Sequence, residues 1–294
     1  MKFAIKFYQG CRALTKADEI IIRYNEKSAR LIDFVQKWHI NQRIIIDITE
    51  LETPIEDCIE IFKESHKAHN NFAILMTYEQ DFKIIAEADI PFFFIDGVDN
   101  YDDLASQIRL GVSDVYILNE LGFNIEKIST FCHDNNVQVR VYPNVCQTNS
   151  KFDTNTFAQF FIRPDAVKLY DEYIDVFEFF GPLDKQAVLF DIYRDERWLG
   201  DLNELILGLN IKVDNQTIMP YFDTMRVRCT KRCNFRKCDI CGAVKELGKA
   251  LEEKNVVLTR KRARHERKFN EKDMWNESAA AFNPNEEISI EEEV

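Results

Sequence analysis

Eight short apolar runs, each followed by a stretch with helical spacing, organise the first 181 residues of this 294-residue chain. The runs are Phe3–Tyr8, Arg43–Ile48, Phe72–Tyr78, Pro91–Ile95, Asp114–Leu118, Gln138–Tyr142, Phe160–Arg163 and Val176–Phe180. Several are apolar at successive positions, as in Ile44-Ile45-Ile46 and Phe92-Phe93-Phe94-Ile95. Continuous rather than alternating hydrophobicity is what a parallel strand covered on both faces requires. Strands that alternate with helices in this way predict an α/β fold, a (β/α)8 TIM-barrel-like domain. An open doubly wound sheet is the alternative, because periodicity says nothing about closure.

The intervening segments carry their own helix signals. Ser28–His39 places Leu31, Ile32, Val35 and Trp38 on one face. Pro54–His69 starts with Thr53 as N-cap and Pro54 at the first helical position, and Ile55, Cys58, Ile59 and Phe62 form its apolar stripe. Tyr101–Leu110 and Asn124–Asn135 follow the same rule. Asp18–Tyr24 is expected to add an extra strand or a helix start. The polar, turn-rich Pro143–Asn155 is expected to put a loop in place of a barrel helix, and Lys185–Leu209 reads as the eighth barrel helix. Three parts result: a barrel over 1–210, a four-cysteine metal-binding segment over 211–243, and a basic helix with an acidic tail over 244–294.

That third part carries charge in blocks. Arg260-Lys261-Arg262-Ala263-Arg264-His265-Glu266-Arg267-Lys268 is steeply basic, and the chain finishes on Glu291-Glu292-Glu293-Val294. Overall there are 38 basic and 50 acidic residues, a formal net charge of −12, which gives nucleic acid no bulk attraction. Apolar residues at 46% and charged residues at 30% exclude wholesale disorder. No apolar run reaches the roughly 18–20 residues that span a bilayer, and Met1-Lys2-Phe3-Ala4-Ile5-Lys6-Phe7 is too short and charged for a secretory signal. The expectation is a soluble, cytoplasmic protein.

Eight cysteines in a reducing compartment call for a chemical explanation. Cys229, Cys233, Cys238 and Cys241 crowd into one segment with the spacing C-x3-C-x4-C-x2-C. Four thiolates so close can surround a tetrahedral zinc or supply the corners of a four-iron, four-sulfur (4Fe-4S) cluster. Arg226, Arg228, Lys231, Arg232, Arg236 and Lys237 lie among them, and their charge favours thiolate over thiol. The C-x3-C-x2-C loop that radical S-adenosylmethionine enzymes carry after the first barrel strand is missing here. The whole basic stretch Arg226–Lys268 is a candidate footprint for nucleic acid or another polyanion. The acidic tail is a candidate contact for a protein partner.

Catalytic groups in a barrel sit at the C-terminal ends of strands. By that rule the candidates are Asp47, Tyr78, Asp96, Glu120, Asn144, Arg163, Asp165 and Glu178. Among them Asp47, Asp96 and Glu178 are the carboxylates for acid–base work, and Arg163 and Gly181 occupy positions suited to phosphate. His39, His66, His69 and His133 lie at or near helix ends and read as surface residues or caps. No G-x-S-x-G, H-E-x-x-H, G-x-x-x-x-G-K-[ST] or G-x-G-x-x-G motif occurs, so serine hydrolase, zinc-helix protease and P-loop chemistry have no support.

Gly111-Val112-Ser113-Asp114-Val115-Tyr116-Ile117-Leu118, a helix, and then Val137-Gln138-Val139-Arg140-Val141-Tyr142-Pro143-Asn144 resemble part of the collagenase-like peptidase family. Members of that family act in tRNA and rRNA hydroxylation and in ubiquinone synthesis. The resemblance covers the middle of the barrel and implies a barrel with an iron–sulfur site and a role in RNA modification. The family's cysteines are more widely spaced than Cys229–Cys241, so its ligands do not transfer residue by residue. Three functions follow from the sequence. The first is an enzyme that modifies RNA or a small polyanionic substrate, with a metal site. The second is a non-enzymatic interaction or assembly protein, part of a larger complex or viral particle, with a structural metal. The third is a nucleic-acid-binding module.

Overall fold

The computed structural model describes residues 1–7, 12–25, 29–39, 41–118, 125–144, 162–179, 181–196 and 205. Eight strands lie in one sheet: β1 (Lys2–Lys6), β2 (Glu19–Arg23), β3 (Arg43–Asp47), β4 (Phe72–Met76), β5 (Phe92–Phe94), β6 (Asp114–Tyr116), β7 (Gln138–Val141) and β8 (Val176–Glu178). Their order is β5-β4-β3-β2-β1-β8-β7-β6, and every registered pair is parallel.

The question of closure is settled between the two ends of that order. Ser113 N–H donates to Phe92 O at 2.8 Å. Beyond β5 and β6, Val98 and Ile117 form a parallel bridge. Val98 N–H donates to Tyr116 O at 2.8 Å, and Leu118 N–H to Val98 O at 2.9 Å. The sheet curls into a nearly closed (β/α)8 barrel, the predicted fold class.

Among the described residues there are six helices, five between strands and the last after β8: α1 (Ala29–Trp38), α2 (Ile55–Ala68), α3 (Phe82–Glu87), α4 (Tyr101–Arg109), α5 (Ile125–Asp134) and α6 (Leu183–Arg194). Short 3-10 helices, Arg12–Lys16 and Pro164–Tyr170, serve after β1 and before β8. The local reasons are ordinary. Asn100 caps α4 by accepting from Asp103 N–H at 2.9 Å, with Asp102 and Asp103 in the first turn and Arg109 in the last. In α2 the buried Ile55, Cys58 and Phe62 recur at helical spacing.

Outward-facing strand residues pack on these helices. Phe3 and Phe177, paired across β1 and β8, meet edge to face at 6.0 Å, and Phe3 meets Phe190 of α6 at 5.8 Å. Phe72 lies against His66 of α2.

Several expectations need correction. The count of eight strands holds, but its membership changes. Asp18–Tyr24 contains β2, a full member of the barrel, and Ile162 and Arg163 belong to no strand. They lead into the 3-10 helix, with Ile162 N–H on Pro143 O and the Tyr193 hydroxyl on Ile162 O. Pro54, not Thr53, is the N-cap of α2, and the Thr53 hydroxyl instead meets Cys58 Sγ at 3.6 Å. Trp38 is 63% exposed while Leu31, Ile32 and Val35 are buried, because the apolar face of α1 ends one turn earlier. The continuous helix of α6 ends at Arg194.

Candidate functional site

Register decides which side chains enter the barrel. Ala4 pairs with both Glu19 and Glu178, Glu19 pairs with Arg43, and Tyr116 pairs with Arg140. Partners in a parallel ladder share a face, and alternate residues of one strand share it too. The inner face therefore carries Lys6, Glu19, Arg43, Asp47, Asp114, Tyr116, Arg140 and Glu178. All eight are buried, between 0% and 7% exposed. Most barrel interiors are filled by branched apolar residues; this one holds a charged network.

Its floor is at the N-terminal ends of the strands. Arg43 Nη1 and Nη2 donate to the two oxygens of Asp114, each at 2.7 Å. Ser113 Oγ adds a bond to Asp114 at 2.7 Å. Arg140 occupies the centre. Its Nη1 donates to Glu19 Oε2 at 2.6 Å and Asp114 Oδ1 at 3.0 Å, and its Nη2 reaches Glu178 Oε2 at 3.4 Å. Its guanidinium lies over the rings of Phe93 (4.9 Å) and Tyr116 (5.5 Å). Burial alone would raise the Asp114 carboxyl, but Arg43 and Arg140 outweigh it and hold the group below its ordinary range. Burial alone would likewise lower Arg140, yet Glu19, Tyr116, Asp114 and Glu178 push it well above the usual guanidinium value.

At the strand-end mouth the network meets candidate chemistry. Glu178 closes β8 and accepts from the Tyr116 hydroxyl at 2.5 Å and the Tyr142 hydroxyl at 3.3 Å. The two phenol rings stack at 5.0 Å with an interplanar angle of 4°. Burial first, and Glu178 second, push the Tyr116 phenol well above its ordinary value, so Tyr116 stays a proton donor to Glu178. Asp47 ends β3, buried, and accepts from Thr49 N–H at 3.0 Å and Thr49 Oγ1 at 2.7 Å. Arg23, its register partner at the end of β2, forms an ion pair with Glu50. The bond from Ile162 N–H to Pro143 O carries Arg163 to the end of β7, beside Asn144, and both side chains are buried.

The sequence-predicted residues therefore divide. Asp47 and Glu178 share the inner face, and Arg163 and Asn144, both buried, flank the backbone bond from Ile162 to Pro143 beyond β7. Asp96 is different: it is exposed, and its Oδ2 accepts from Tyr78 N–H at 2.8 Å, which ties the β4 and β5 loops together. Gly181 follows β8 with φ 129°, a conformation that favours glycine, and its carbonyl accepts from Gln186 at 2.7 Å. Glu120 and the cysteines Cys229, Cys233, Cys238 and Cys241 lie outside the described residues, as does the Arg226–Lys268 stretch. Among the described residues no group of three or more His, Cys, Asp or Glu side chains is placed to hold a metal. Among them, too, no helix is long and apolar enough to cross a membrane.

Sequence reasoning missed Lys6, Glu19, Arg43, Asp114, Tyr116, Arg140 and Tyr142. The available signal was a polar residue on one phase of an otherwise apolar run, as in Glu19-Ile20-Ile21-Ile22-Arg23 and Gln138-Val139-Arg140-Val141. The histidines behave mostly as expected of caps and surface groups. His133 meets Ser129 Oγ at 3.3 Å and Asp175 at 2.8 Å at the opposite end of the barrel, but the Ser129 side chain is buried. His69 is the C-cap of α2, buried, with its ring satisfied by Gln42 O at 2.8 Å.

No protein-family model and no curated protein matches the sequence. Several solved structures resemble the chain, among them two at low identity. One is the 4-hydroxy-2-oxoglutarate aldolase/2-deydro-3-deoxyphosphogluconate aldolase from TTHB1, at 9% identity and TM-score 0.38, covering 66% of this chain and 93% of that one. The other is RipC from Yersinia pestis, at 12% identity and TM-score 0.37, covering 67% of this chain and 94% of that one. At such identities and scores neither neighbour's activity transfers, and the fold assignment stands on the strand order itself.

Proposed function

We propose that this chain is a (β/α)8 enzyme that acts on a small anionic substrate at the strand-end mouth and carries a separate four-cysteine metal site. One observation carries the reading: polar side chains at the C-terminal ends of several strands, Asp47, Asn144, Arg163 and Glu178, are buried rather than exposed. Glu178 and Tyr142 supply a hydrogen-bonded carboxylate and phenol, suited to moving a proton. Arg163 and Asn144 supply donors for an anionic group, and Asp47 a second carboxylate. Each buried group of this kind costs desolvation, which a binding site at the strand ends would repay.

The rim favours a small substrate over RNA. Residues 48–57, 77–81 and 95–103 form the loops and helix starts after β3, β4 and β5, and they hold ten carboxylates without one lysine or arginine. Repulsion there grows with the charge of the approaching molecule, so a polyanion is opposed far more than a small anion. Any nucleic-acid contact is left to Arg226–Lys268, and a protein contact to the acidic tail.

The donor set Cys229, Cys233, Cys238 and Cys241 fits zinc or an iron–sulfur cluster, being four soft ligands within one short segment. Zinc there would pin the segment, and a cluster would supply one-electron chemistry. The resemblance to the collagenase-like peptidase family supports the cluster.

Two measurements test the reading. Protein purified without oxygen is assayed for iron, sulfide, zinc and visible absorption, with Cys229→Ala and Cys238→Ala as controls; absence of all metals sinks the cysteine-site part. A panel of small carboxylates and phosphates is then screened by thermal shift. We expect stabilisation by at least one anion, lost in Arg163→Met. A panel that stabilises nothing, or stabilises Arg163→Met equally, returns the barrel to an interaction role.

A further inference from the structure

A cavity of about 520 Å³ opens at the end of the barrel opposite the mouth, and no role assigned above uses it. Small-molecule sites measure roughly 300–1,000 Å³. The cavity lies where the chain enters β5, β6 and β7. Its lining includes the residues that directly follow α4 and α5, Leu110 with Gly111 and Asn135 with Asn136, and Asp89 just beyond α3. Gly111 has no atom beyond its chain neighbours within 4 Å of the place where a Cβ would stand, so the space beside it is open.

Two properties of the lining select a ligand. The walls are apolar: Pro91, Ile108 and Leu110 are half-buried there, beside the buried Ile90, Val112 and Val137. The rim is electronegative. Among the described residues Asp89, which is exposed, is the one charged group in the lining. Helices α4 and α5 both end at the cavity, and a helix C-terminus carries partial negative charge. Arg109, the cation in the last turn of α4, is exposed and outside the lining. An anion meets repulsion there, and a neutral apolar molecule leaves the charge unanswered. A cation on an apolar stem complements both. We infer that this cavity binds a primary alkylammonium, its stem against Ile108 and Leu110 and its head beside Asp89. The site is independent of the small-anion site proposed at the mouth. A free amine and the side chain of a lysine in a polypeptide both present this group.

The full-length protein is titrated with n-butylammonium, 1-butanol and butyrate, and binding is read by saturation-transfer difference NMR. Butylammonium should bind about threefold to tenfold more tightly than butanol, and butyrate more weakly than either. Shortening the stem to ethylammonium should weaken binding about twofold to fourfold per methylene. Two variants place the ligand. Asp89 has φ 55°, a conformation that asparagine tolerates well, so Asp89→Asn removes the charge and keeps the turn. It should weaken butylammonium about threefold to tenfold and leave butanol unchanged. Ala86 is an exposed lining residue in the last turn of α3, where a cation suits the helix. Ala86→Arg sets the protein's own cation at the cavity and should weaken butylammonium at least about tenfold. Should that variant fail to fold, Asp89→Asn and the order of the three ligands on the wild-type protein still decide.

Equal affinity for butylammonium and butyrate overturns the inference, as does the absence of measurable butylammonium binding. Binding that is unchanged in both folded variants overturns it too, since it then lies elsewhere on an acidic protein. Nα-acetyl-lysine N-methylamide separates the two sources of the group. Affinity equal to that of butylammonium points to a lysine on a polypeptide, and affinity at least about tenfold weaker points to a free amine.

Discussion

Replacing Arg140 with methionine should cost the protein a large share of its stability, and the structure says why. Arg140 is fully buried and touches three carboxylates: Glu19 at 2.6 Å, Asp114 at 3.0 Å and Glu178 at 3.4 Å. Methionine fills most of the volume and keeps contact with Phe93, so the change removes charge more than packing. It leaves Glu19 and Asp114 to Arg43 and takes from Glu178 its contact with the Arg140 guanidinium. Removing one partner of a buried ion pair costs about 3–5 kcal/mol, against roughly 5–15 kcal/mol for a whole domain. At about 2–4 °C per kcal/mol for a chain of this size, melting should fall by about 6–20 °C.

A carboxylate stripped of its cation takes up a proton, so the loss should shrink between pH 8 and pH 5. Glu178→Gln made in the same background should restore part of it, with a coupling of about 0.5–3 kcal/mol. Urea unfolding followed by far-ultraviolet circular dichroism reads all three. A loss below about 1 kcal/mol, or one independent of pH, means the interior carboxylates are not ionised and refutes the network.

Two further predictions concern titration. The depressed Asp114 carboxyl binds protons more readily when unfolded, so its contribution is fully present above its ordinary value of 3.8 and is lost as pH falls below it. Stability should therefore drop on acidification below about pH 4, by up to about 1.4 kcal/mol per pH unit for this group, and Asp114→Asn should flatten that slope. Burial, aided by Asp175, pushes the Cys132 thiol up to about 12. Native Cys132 should resist iodoacetamide at pH 8 and react only on unfolding, and its contribution to stability should fade as pH rises above the ordinary thiol value of 9.0. Quantitative peptide mapping checks this, and rapid native labelling counts against the burial shown here.

How much of this was legible depends on which signal each residue sends. Ile44-Ile45-Ile46 and Phe92-Phe93-Phe94 report burial on both faces by being apolar at every position, so β3 and β5 are plain in the sequence. The run Glu19-Ile20-Ile21-Ile22-Arg23 is as apolar in its middle, but its charged ends leave it readable as either an extra strand or a helix start. In the barrel those ends point inward and find partners, Arg140 for Glu19 and Glu50 for Arg23. Phe160-Phe161-Ile162-Arg163 makes the opposite impression, since Ile162 is buried by packing beside Tyr193 rather than by a ladder. Local composition reports burial and is silent about what does the burying.

The candidate site follows the same logic one level up. The position of Glu178 and Asp47 at strand ends could be read once the strands were placed. Their orientation could not, because inward and outward differ by one residue of register, and register is set by neighbours far along the chain. Arg140 meets Glu19 across 121 positions and Asp114 meets Arg43 across 71. A charge inside a barrel is tolerable only if such distant partners arrive together, which makes the network a check on closure as well as a support for Glu178. Opening the β5–β6 seam would separate Asp114 from Arg43 around the ring and expose both to water. Ion pairs, seam and mouth therefore stand or fall as one cooperative unit, and a substitution at the floor should be felt at the strand ends.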